Sequence, residues 1–453
     1  MLDREVEDVG EDKFRMTRRG FVAAGLSTLM LPLAGCGTSV AAGLAGTPLN
    51  PQTLIFWNLF GGGDGVRMQA MEAGYEKTHG GPSSLQATTF AWGNPYYSKL
   101  TLATVGSKPP DVAISHLTRA KPLAQADVFE PITDADLASV GLSASDFNKR
   151  AWDFQRANGH NIAIPLDTHP FVMFFNSDVC QKAGLLQADG KLKHIQGFDQ
   201  FEAALAAISK VTKGPALTVS NVGDFATPWR LFLTLYSQRN GSTPYLSNGG
   251  TKITVNEALA VDTLARIATW AKKGWLAPSL DYATAESYFF SGKSGLYMEG
   301  EWEITTAEAV KGLKFGMVPI PQLYDKPAAQ ADSHTFVLPR KDRTPEERKR
   351  AMGFIKSMLD QSMTWAKGGH IPAYLPTLHS SAYKSLEPQA DYAAAASYAV
   401  YDPEAWYSGS GSTFENIAGA QIGLVQQGAV TPQGALQAIS DQLQVYLHTT
   451  SPL

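Results

Sequence analysis

Short apolar segments alternate with longer amphipathic segments along most of the chain. Residues 54–57 form a β-prone apolar run that ends at a glycine cluster, so they predict a buried strand, and residues 66–77 predict the helix that follows. Further strands are predicted at 111–115, 162–164, 171–175, 295–298, 315–318 and 335–338. This order predicts an α/β fold whose sheet is mostly parallel and carries helices on its faces.

Helical periodicity follows in the middle and the C-terminal part of the chain. Phe201, Leu205 and Ile208 have the spacing of one helix face. Thr344 and Thr431 each precede a proline, as expected of a helix that begins with a Thr cap and has Pro in its first turn. Strands and helices alternate over too much of the 453-residue chain for one simple sheet, so we predict two α/β lobes.

Residues 1–35 have the pattern of a bacterial export signal. Arg18 and Arg19 precede the weakly apolar run 21–34, and small residues then lead to Cys36, the type of site at which bacterial lipoproteins are cleaved and acylated. A membrane-spanning helix needs about 20 apolar residues, more than this run provides. We therefore predict a twin-arginine signal, a mature N-terminus at Cys36 and a lipid on that cysteine.

The segments around this signal refine the prediction. Residues 36–52 are small, polar and Gly-rich, which indicates a flexible tether. Residues 1–15 are rich in acids, which is unusual for a signal, so the start stays open between Met1 and Met16. With the first cysteine acylated, Cys180 has no disulfide partner, and stability has to come from a core.

Composition narrows the class of protein. The chain is 44% hydrophobic and 18% charged, as in ordinary globular proteins, and its formal net charge is −4. A nucleic-acid partner would require a clustered basic surface. The densest basic segment, 340–350, is interleaved with acids and reads as a solvated helix face. We therefore expect no nucleic-acid partner.

A series of short motifs lies in a fixed order along the mature chain. The motifs are Phe56-Trp57 before a Gly-rich turn, Pro110-Asp111-Val112, Ile164-Pro165-Leu166, Phe174-Phe175-Asn176-Ser177-Asp178, the segment 290–298 with Trp302, Gly369-His370-Ile371-Pro372-Ala373, and Gln427-Gly428 before 431–436. In this order they resemble the family 1 extracellular solute-binding proteins of ABC importers, the group that includes maltose- and glycerol-3-phosphate-binding proteins.

The resemblance implies a two-lobe periplasmic-binding-protein fold of the class II type, with a ligand cleft between the lobes. Lobe 1 is expected to comprise 53–166 and 322–371, and lobe 2 to comprise 167–321 and 372–453. Hinge crossings are expected near 166–170, 319–322 and 371–376, and each of these segments contains proline. Proline gives a hinge a fixed path, around which a few dihedral changes permit closure.

Candidate ligand contacts come from two sources. Open α/β sheets bind ligands beyond the carboxyl ends of their strands. That rule selects the turn 61–65 and, as individual residues, Trp57, Asn58, Asp64, Ser115, His116, Asp167, Thr168, His169, Glu299, Glu301 and Trp302. The resemblance adds Trp92, Asn94, Ser333, His334, His370, Tyr374 and Trp406. Aromatic faces suit sugar rings and carboxylates or amides accept hydroxyl hydrogens, so this set predicts a carbohydrate site.

Structural roles are open alternatives for several of these residues. Any single tryptophan is more often a core residue than a ligand platform, and we expect Trp270 and Trp275 in the core. Glu301 has a structural alternative at the start of a helix, and Asp64 has one as a turn residue. The four candidate histidines stand in separate loops without the close spacing of zinc ligands, so we expect no metal and no cofactor.

Charge favours a neutral sugar or an amino sugar, because the selected loops hold several acids and only Arg67 nearby as a base. A glycerophosphodiester such as glycerophosphocholine is the alternative ligand, since Trp and Glu can hold its cation. A secreted glycosidase is the alternative function, with Glu299 and Glu301 as its carboxylates. The chain carries no metalloprotease or nucleophile-elbow motif, and we expect no enzyme.

The predicted function is therefore capture and delivery. We expect a monomer that is anchored by lipid to the outer face of the cytoplasmic membrane. It closes on a mono- to oligosaccharide and delivers this ligand to an ABC importer permease. A ligand stabilises the closed form only through its higher affinity for that form.

Overall fold

A computed structural model describes residues 52–451 of the protein. The predicted signal 1–35, the acylation site Cys36 and all but the last residue of the tether lie outside the described residues. Within residues 52–451, no helix combines the length and the apolar character that a membrane span requires.

The strands are short, with one exception. They are β1 Leu54–Asn58, β2 Leu85–Thr89, β3 Val112–His116, β4 Arg156–Ala157, β5 His160–Asn161, β6 Ile164–Pro165, β7 Asp167–Asn176, β8 Leu217–Thr218, β9 Leu246–Ser247, β10 Lys252–Ile253, β11 Leu296–Gly300, β12 Phe315–Pro319, β13 Ala329–Asp332, β14 His334–Val337, β15 Ile371–Pro372 and β16 Ala399–Val400. The exception is β7, which has 10 residues and is buried throughout.

Helices connect these strands. The α-helices are Gly62–Thr78, Asn94–Val105, Leu117–Gln125, Asp134–Ser139, Lys149–Phe154, Ser177–Lys182, Gly197–Thr212, Ala226–Ser237, Glu257–Lys272, Tyr282–Phe290, Ile304–Ala309, Pro345–Asp360, Ser362–Ala366, Leu375–Leu378, Ser381–Lys384, Thr413–Gln426 and Pro432–Leu447. Short 3₁₀ turns lie at Pro82–Ser84, Ala144–Asp146, Asn248–Gly250, Glu301–Glu303 and Gln389–Tyr398.

The described strands form two main sheets. The smaller has the order β2-β1-β3-β14-β6 and the larger has the order β16-β13-β7-β11-β8, with β12 and β15 also paired to β7. Each sheet has its own hydrophobic core: Phe56, Ile114 and Phe354 belong to the first, Phe171 and Trp270 to the second. The chain therefore has the α/β, two-lobe architecture that the sequence predicts.

The prediction of a mostly parallel sheet is wrong. In the smaller sheet β1 runs parallel to β2 and β3, but β14 is antiparallel to both its neighbours. In the larger sheet β7 pairs antiparallel with β11, β12, β13 and β15. Strand and helix signals fix the order of elements but not the end of the sheet at which each strand enters, so strand direction stays undetermined by them.

Most element predictions are confirmed within a few residues, and one boundary differs. Residues 165–170 were expected to separate two strands, but β7 begins at Asp167 and runs through Pro170, which pairs with Ala331. The capping prediction at Thr344 is confirmed, because its Oγ accepts from Glu347 N at 3.2 Å and its own N–H donates to Glu347 at 2.8 Å. A capping box of this kind satisfies two backbone donors at once.

Three chain segments connect the sheets. The first passes from β6 to β7 at Leu166. The second was predicted at 319–322, but β13 still pairs with β7, so this crossing lies at Ser333, between β13 and β14. The third includes β15, which pairs with the start of β7. The proline-rich stretch that suggested the second hinge is instead a loop within the larger lobe; the full lobe boundaries stay a prediction.

Candidate functional site

A cavity of about 520 Å³ lies where the ends of the two sheets face each other. Both sheets and the helices that follow them contribute to its wall. The lining residues are Leu59, Phe60, Gly61, Asp64, Trp92, His116, His169, Gly223, Asp224, Phe225, Ala226, Arg230, Tyr282, Trp302, His334, Glu415 and Asn416. Binding pockets for small molecules typically have volumes of about 300–1,000 Å³.

One wall of the cavity comes from the carboxyl ends of parallel strands. Phe60 follows β1, Trp92 follows β2 and His116 ends β3. This is the edge at which open α/β sheets bind ligands. Trp92 is 46% exposed, so part of it is available to a ligand.

Three imidazole rings continue this wall. His169 and His334 stack with ring centroids 4.2 Å apart, and His116 lies 4.8 Å from His334. His116 Nδ1 is 2.8 Å from the hydroxyl of Tyr97. Burial, reinforced by the neighbouring His334, lowers the pKa of His169 to about 3 and places the pKa of His116 well below its usual range. These two rings are therefore neutral at physiological pH.

Asp167 organises the histidines from behind the wall. Its carboxylate lies 3.1 Å from His169 Nδ1 and 2.7 Å from His334 Nδ1, and it accepts from Trp365 Nε1 at 2.6 Å. Burial alone would raise the pKa of Asp167, but His334 and His169 hold it well below its ordinary value. The carboxylate is thus ionised although it is fully buried.

His370 lies deeper and carries a charge. Its ring stacks on Trp365 at 4.3 Å, while Nε2 is 3.0 Å from Asp64 and Nδ1 is 3.0 Å from Glu301. Burial opposes protonation, but Asp64, Glu301 and Asp167 together raise the pKa of His370 well above its usual value. Burial raises the pKa of Glu301 to about 7.

The opposite wall is built around Arg230 and Trp302. The guanidinium Cζ lies 4.9 Å from the Trp302 ring centroid, and Nη1 is 3.4 Å from Glu299. Trp302 Nε1 donates to the hydroxyl of Tyr282 at 3.1 Å. These two contacts fix the orientation of the indole, because the cation covers one face of the ring and the hydrogen bond holds its edge.

Two buried glutamates flank this cation. Glu299 accepts from Thr227 at 2.7 Å, and burial with the nearby charge of Asp224 raises its pKa to about 8. Glu415 lines the cavity, and burial raises its pKa to about 8 as well. Arg230 partly offsets both shifts through its positive charge.

The structure divides the sequence-predicted residues into three groups. The cavity wall includes Asp64, Trp92, His116, His169, Trp302 and His334. Buried side chains that do not line the cavity are Ser115, Asp167, Thr168, Glu299, Glu301, Ser333 and His370, several of which hold the wall residues. The third group does not line the cavity and makes structural contacts: Trp57, Asn58, Asn94, Tyr374 and Trp406.

The contacts of the third group explain its placement. Trp57 is fully buried and packs 4.7 Å from Phe90. Asn58 accepts from the backbone N–H of Phe60 at 3.2 Å and so shapes the turn after β1. Tyr374 packs on Phe147, Asn94 accepts from Arg119, and Trp406 donates to Thr449 O. These five side chains therefore make structural contacts outside the cavity between the sheets, and a ligand role for them stays a prediction.

Sequence reasoning found Trp302 but missed the other side chains of the opposite wall. Asp224, Phe225 and Arg230 lie after β8, and Glu415 lies at the start of a late helix. The rule of strand ends would have selected 221–226, but β8 has only two residues and gives no apolar run to detect. Arg67, the base that was considered, packs against Gly368 and contacts Thr305 instead.

The candidate histidines stand in separate loops of the sequence, but the fold brings three of them together with Asp167. Asp167, His169, His334 and His370 each offer one possible metal-ligand atom, and these four atoms lie within 4.8 Å of one another. Wide spacing in the sequence therefore did not exclude a compact cluster.

Known structures share this fold. The GacH receptor of Streptomyces glaucescens, solved in complex with acarbose, matches with a TM-score of 0.72 and 18% identity over 87% of this chain and 98% of that one. The sugar-binding protein MalE of Xanthomonas citri gives 0.71 and 16% over 86% and 96%. The cyclic α-maltosyl-1,6-maltose binding protein of Arthrobacter globiformis gives 0.69 and 20% over 88% and 99%.

Sequence comparison assigns the family. Among curated proteins none matches the chain significantly. The family model described as bacterial extracellular solute-binding protein matches residues 63–363. The match covers well over half of the chain and includes the cavity residues from Asp64 to His334. The chain belongs to the family of bacterial extracellular solute-binding proteins.

Proposed function

We propose that the protein captures a carbohydrate, a neutral or amino sugar of one to several rings, and delivers it to the permease of an ABC importer. The observation that carries this proposal is the cavity of about 520 Å³ between the two sheets, with Trp92 on one wall and Trp302 on the other. Aromatic faces on both sides suit the flat apolar faces of sugar rings. The similar structures, which bind acarbose and a cyclic maltosyl-maltose, support the same ligand class.

The charges of the cavity support a ligand without net negative charge. Arg230 is a cation that strand ends and motifs do not indicate, and it lies 3.4 Å from the buried carboxyl of Glu299. Asp224 and Asp64 also line the cavity. An anionic solute would face this acidic surround, whereas hydroxyl or ammonium groups would find acceptors.

Membrane attachment is the second part of the proposal. The family is extracellular, and the signal pattern that ends at Cys36 supports anchoring to the outer face of the cytoplasmic membrane. We propose a monomer that Cys36 keeps close to its permease through the segment 36–52. One acyl chain anchors only marginally, so we expect more than one chain on Cys36.

A ligand screen tests the binding function. The mature protein is heated with neutral sugars, amino sugars and glycerophosphocholine, because a tight ligand raises the melting temperature by mass action. Calorimetry then gives the affinity of each hit. Binding of a sugar supports the proposal, whereas binding of glycerophosphocholine alone supports the alternative ligand. Hydrolysis of a glycoside by the purified protein, lost in Glu299→Gln, would establish the enzyme alternative instead.

Trp302→Ala tests the site. Removal of a buried aromatic contact in a binding site costs about 2 kcal/mol, which corresponds to roughly 30-fold weaker binding. Trp275→Ala is the matched control, because Trp275 packs beside the second core and does not line the cavity. Equal affinity in the wild type and in Trp302→Ala would remove Trp302 from the site.

The anchor is tested separately. Wild-type protein and Cys36→Ala are expressed in a bacterial host with a lipoprotein pathway and fed a labelled fatty acid. We expect label and membrane association only with Cys36. Membrane association that persists in Cys36→Ala would contradict lipid anchoring at this residue, whatever sugar the cavity binds.

A further inference from the structure

A cluster of imidazoles and one carboxylate joins the three segments that connect the sheets. Asp167 and His169 belong to β7 just after the first crossing, His334 begins β14 just after the second, and His370 directly precedes β15 in the third. All four side chains are buried. Three segments distant in sequence thus place titratable groups around one point.

The separations at this point equal those between metal ligands or are shorter by less than 1 Å. The carboxylate oxygens of Asp167 lie 3.1 Å from His169 Nδ1, 2.7 Å from His334 Nδ1 and 3.4 Å from His370 Nδ1. In a tetrahedral zinc site with bonds of about 2.0–2.1 Å, neighbouring ligand atoms are about 3.4 Å apart. One ligand atom from each of the four residues lies within 4.8 Å of all the others.

Hydrogen bonding alone does not satisfy this cluster. His370 Nδ1 lies 3.0 Å from Glu301 and 3.4 Å from Asp167 as ion pairs, but neither it nor the carboxylate of Glu301 has the alignment of a hydrogen bond. A bound cation would replace the proton that His370 otherwise carries between these carboxylates. Both side chains are fully buried. Buried polar atoms without partners are rare, and an ion is one of the explanations for them.

We propose that Asp167, His169, His334 and His370 bind a divalent transition-metal ion of the zinc type. Imidazole nitrogens with one carboxylate favour zinc-like ions over magnesium or calcium, which prefer oxygen ligands. Glu301 is the additional carboxylate that faces His370 from the side opposite Asp64.

The surroundings have the features of a supported metal site. His370 Nε2 is 3.0 Å from the Asp64 carboxylate, and Asp167 accepts from Trp365 Nε1 at 2.6 Å and from His334 N at 2.8 Å. Metal-ligating histidines commonly donate their second ring nitrogen to a carboxylate, which fixes the ring. His169 and His334 line the cavity, so an ion can enter from the cleft.

The position gives such an ion a mechanical effect. Its ligands come from all three connecting segments, so a bound ion would hold these segments together at the hinge. An ion that shifts the opening equilibrium of the hinge also changes the affinity for solute. Solute binding then changes the affinity for the ion by the same factor. The metal site itself does not depend on which solute the cavity takes.

Direct metal binding tests the proposal on the mature protein. The protein is stripped with a chelator, dialysed, and titrated with Zn²⁺ by calorimetry and with Co²⁺ by visible absorption. We expect one ion per chain, the visible bands of tetrahedral Co²⁺, and displacement of Co²⁺ by Zn²⁺. Wild-type protein that takes up no stoichiometric ion contains an ion-pair cluster only, and the proposal is then wrong regardless of any variant.

Variants locate the ion. His334→Ala and Asp167→Asn should weaken Zn²⁺ binding by about 100-fold or more and abolish the Co²⁺ bands. His194→Ala, an exposed histidine outside the cluster, is the matched control and should bind as the wild type does. His169→Gln serves as a second ligand variant if either of the first two fails to fold. Stoichiometric binding that survives in the folded ligand variants would place the ion elsewhere and overturn the assignment.

Discussion

The guanidinium group of Arg230 lies over the indole ring of Trp302, with 4.9 Å between Cζ and the ring centroid. Arg230 belongs to the helix Ala226–Ser237, and Trp302 lies in the turn after β11. Glu299 Oε1 lies 3.4 Å from Nη1 of the same guanidinium. One face of the indole is thereby fixed by a cation, and the site gains a rigid aromatic surface.

Replacement of this cation should weaken solute binding. In Arg230→Met the cation–π contact is lost and Trp302 gains freedom, so we expect affinity to fall about tenfold, which is about 1.4 kcal/mol. Calorimetry with the solute identified by the screen measures this change. Arg266→Met is the control, because Arg266 lies 4.6 Å over Phe198, outside the cavity. Equal losses in both variants would point to a general effect of the substitution.

A close contact between glycines at the cleft should limit substitution. A Cβ on Gly411 would lie 3.0 Å from Gly93 Cα and 3.0 Å from the Trp92 ring. Gly411→Ala should therefore displace Trp92 and weaken solute binding severalfold. Gly428→Ala is a matched control, because its φ of +74 is similar to the +64 of Gly411 but no atom lies within 4 Å. Both variants should lose about 1–2 kcal/mol of stability from the left-handed backbone, and only Gly411→Ala should lose affinity.

Stability should depend on pH through Glu299, whose pKa is raised to about 8 by burial. A carboxyl with a raised folded-state pKa contributes stability that is complete below its unfolded pKa of 4.5 and is lost as pH rises towards 8. Between pH 4.5 and 8, the free energy of unfolding of Glu299→Gln should fall less steeply with pH than that of the wild type, by about 1 kcal/mol per pH unit.

Urea unfolding at pH 5, 6.5 and 8 measures the slope of the free energy of unfolding against pH. The exposed Glu308→Gln is the control. A slope that is the same in wild type and Glu299→Gln would mean that this carboxyl is ionised in the folded protein.

Loss of the cap at Thr344 should destabilise the helix Pro345–Asp360. This helix contributes Phe354 and Ile355 to the first core, so its stability is coupled to that of the lobe. Thr344→Ala removes the acceptor for Glu347 N and should cost about 1 kcal/mol in urea unfolding. Thr306→Ala, an exposed threonine that caps no helix, should change stability much less.

Local patterns predicted the elements well, because a strand run or a helix cap is set by neighbouring residues. The strand at 54–57, the helix face of Phe201, Leu205 and Ile208, and the cap at Thr344 all have this character. The signal pattern at Cys36 is likewise a property of adjacent residues. Strand ends in turn identified His116 and Asp64 as cavity residues.

Tertiary structure decided the rest. The antiparallel pairing of β7, the second crossing at Ser333 and the wall with Arg230 depend on which distant segments meet. Asp167, His334 and His370 are far apart in sequence but surround one point, where His334 helps to lower the pKa of Asp167, and Asp64 with Asp167 helps to raise the pKa of His370. Spacing along a chain carries little information about distances across a fold, because pairing of sheets and packing of lobes bring such residues together only after the chain has folded.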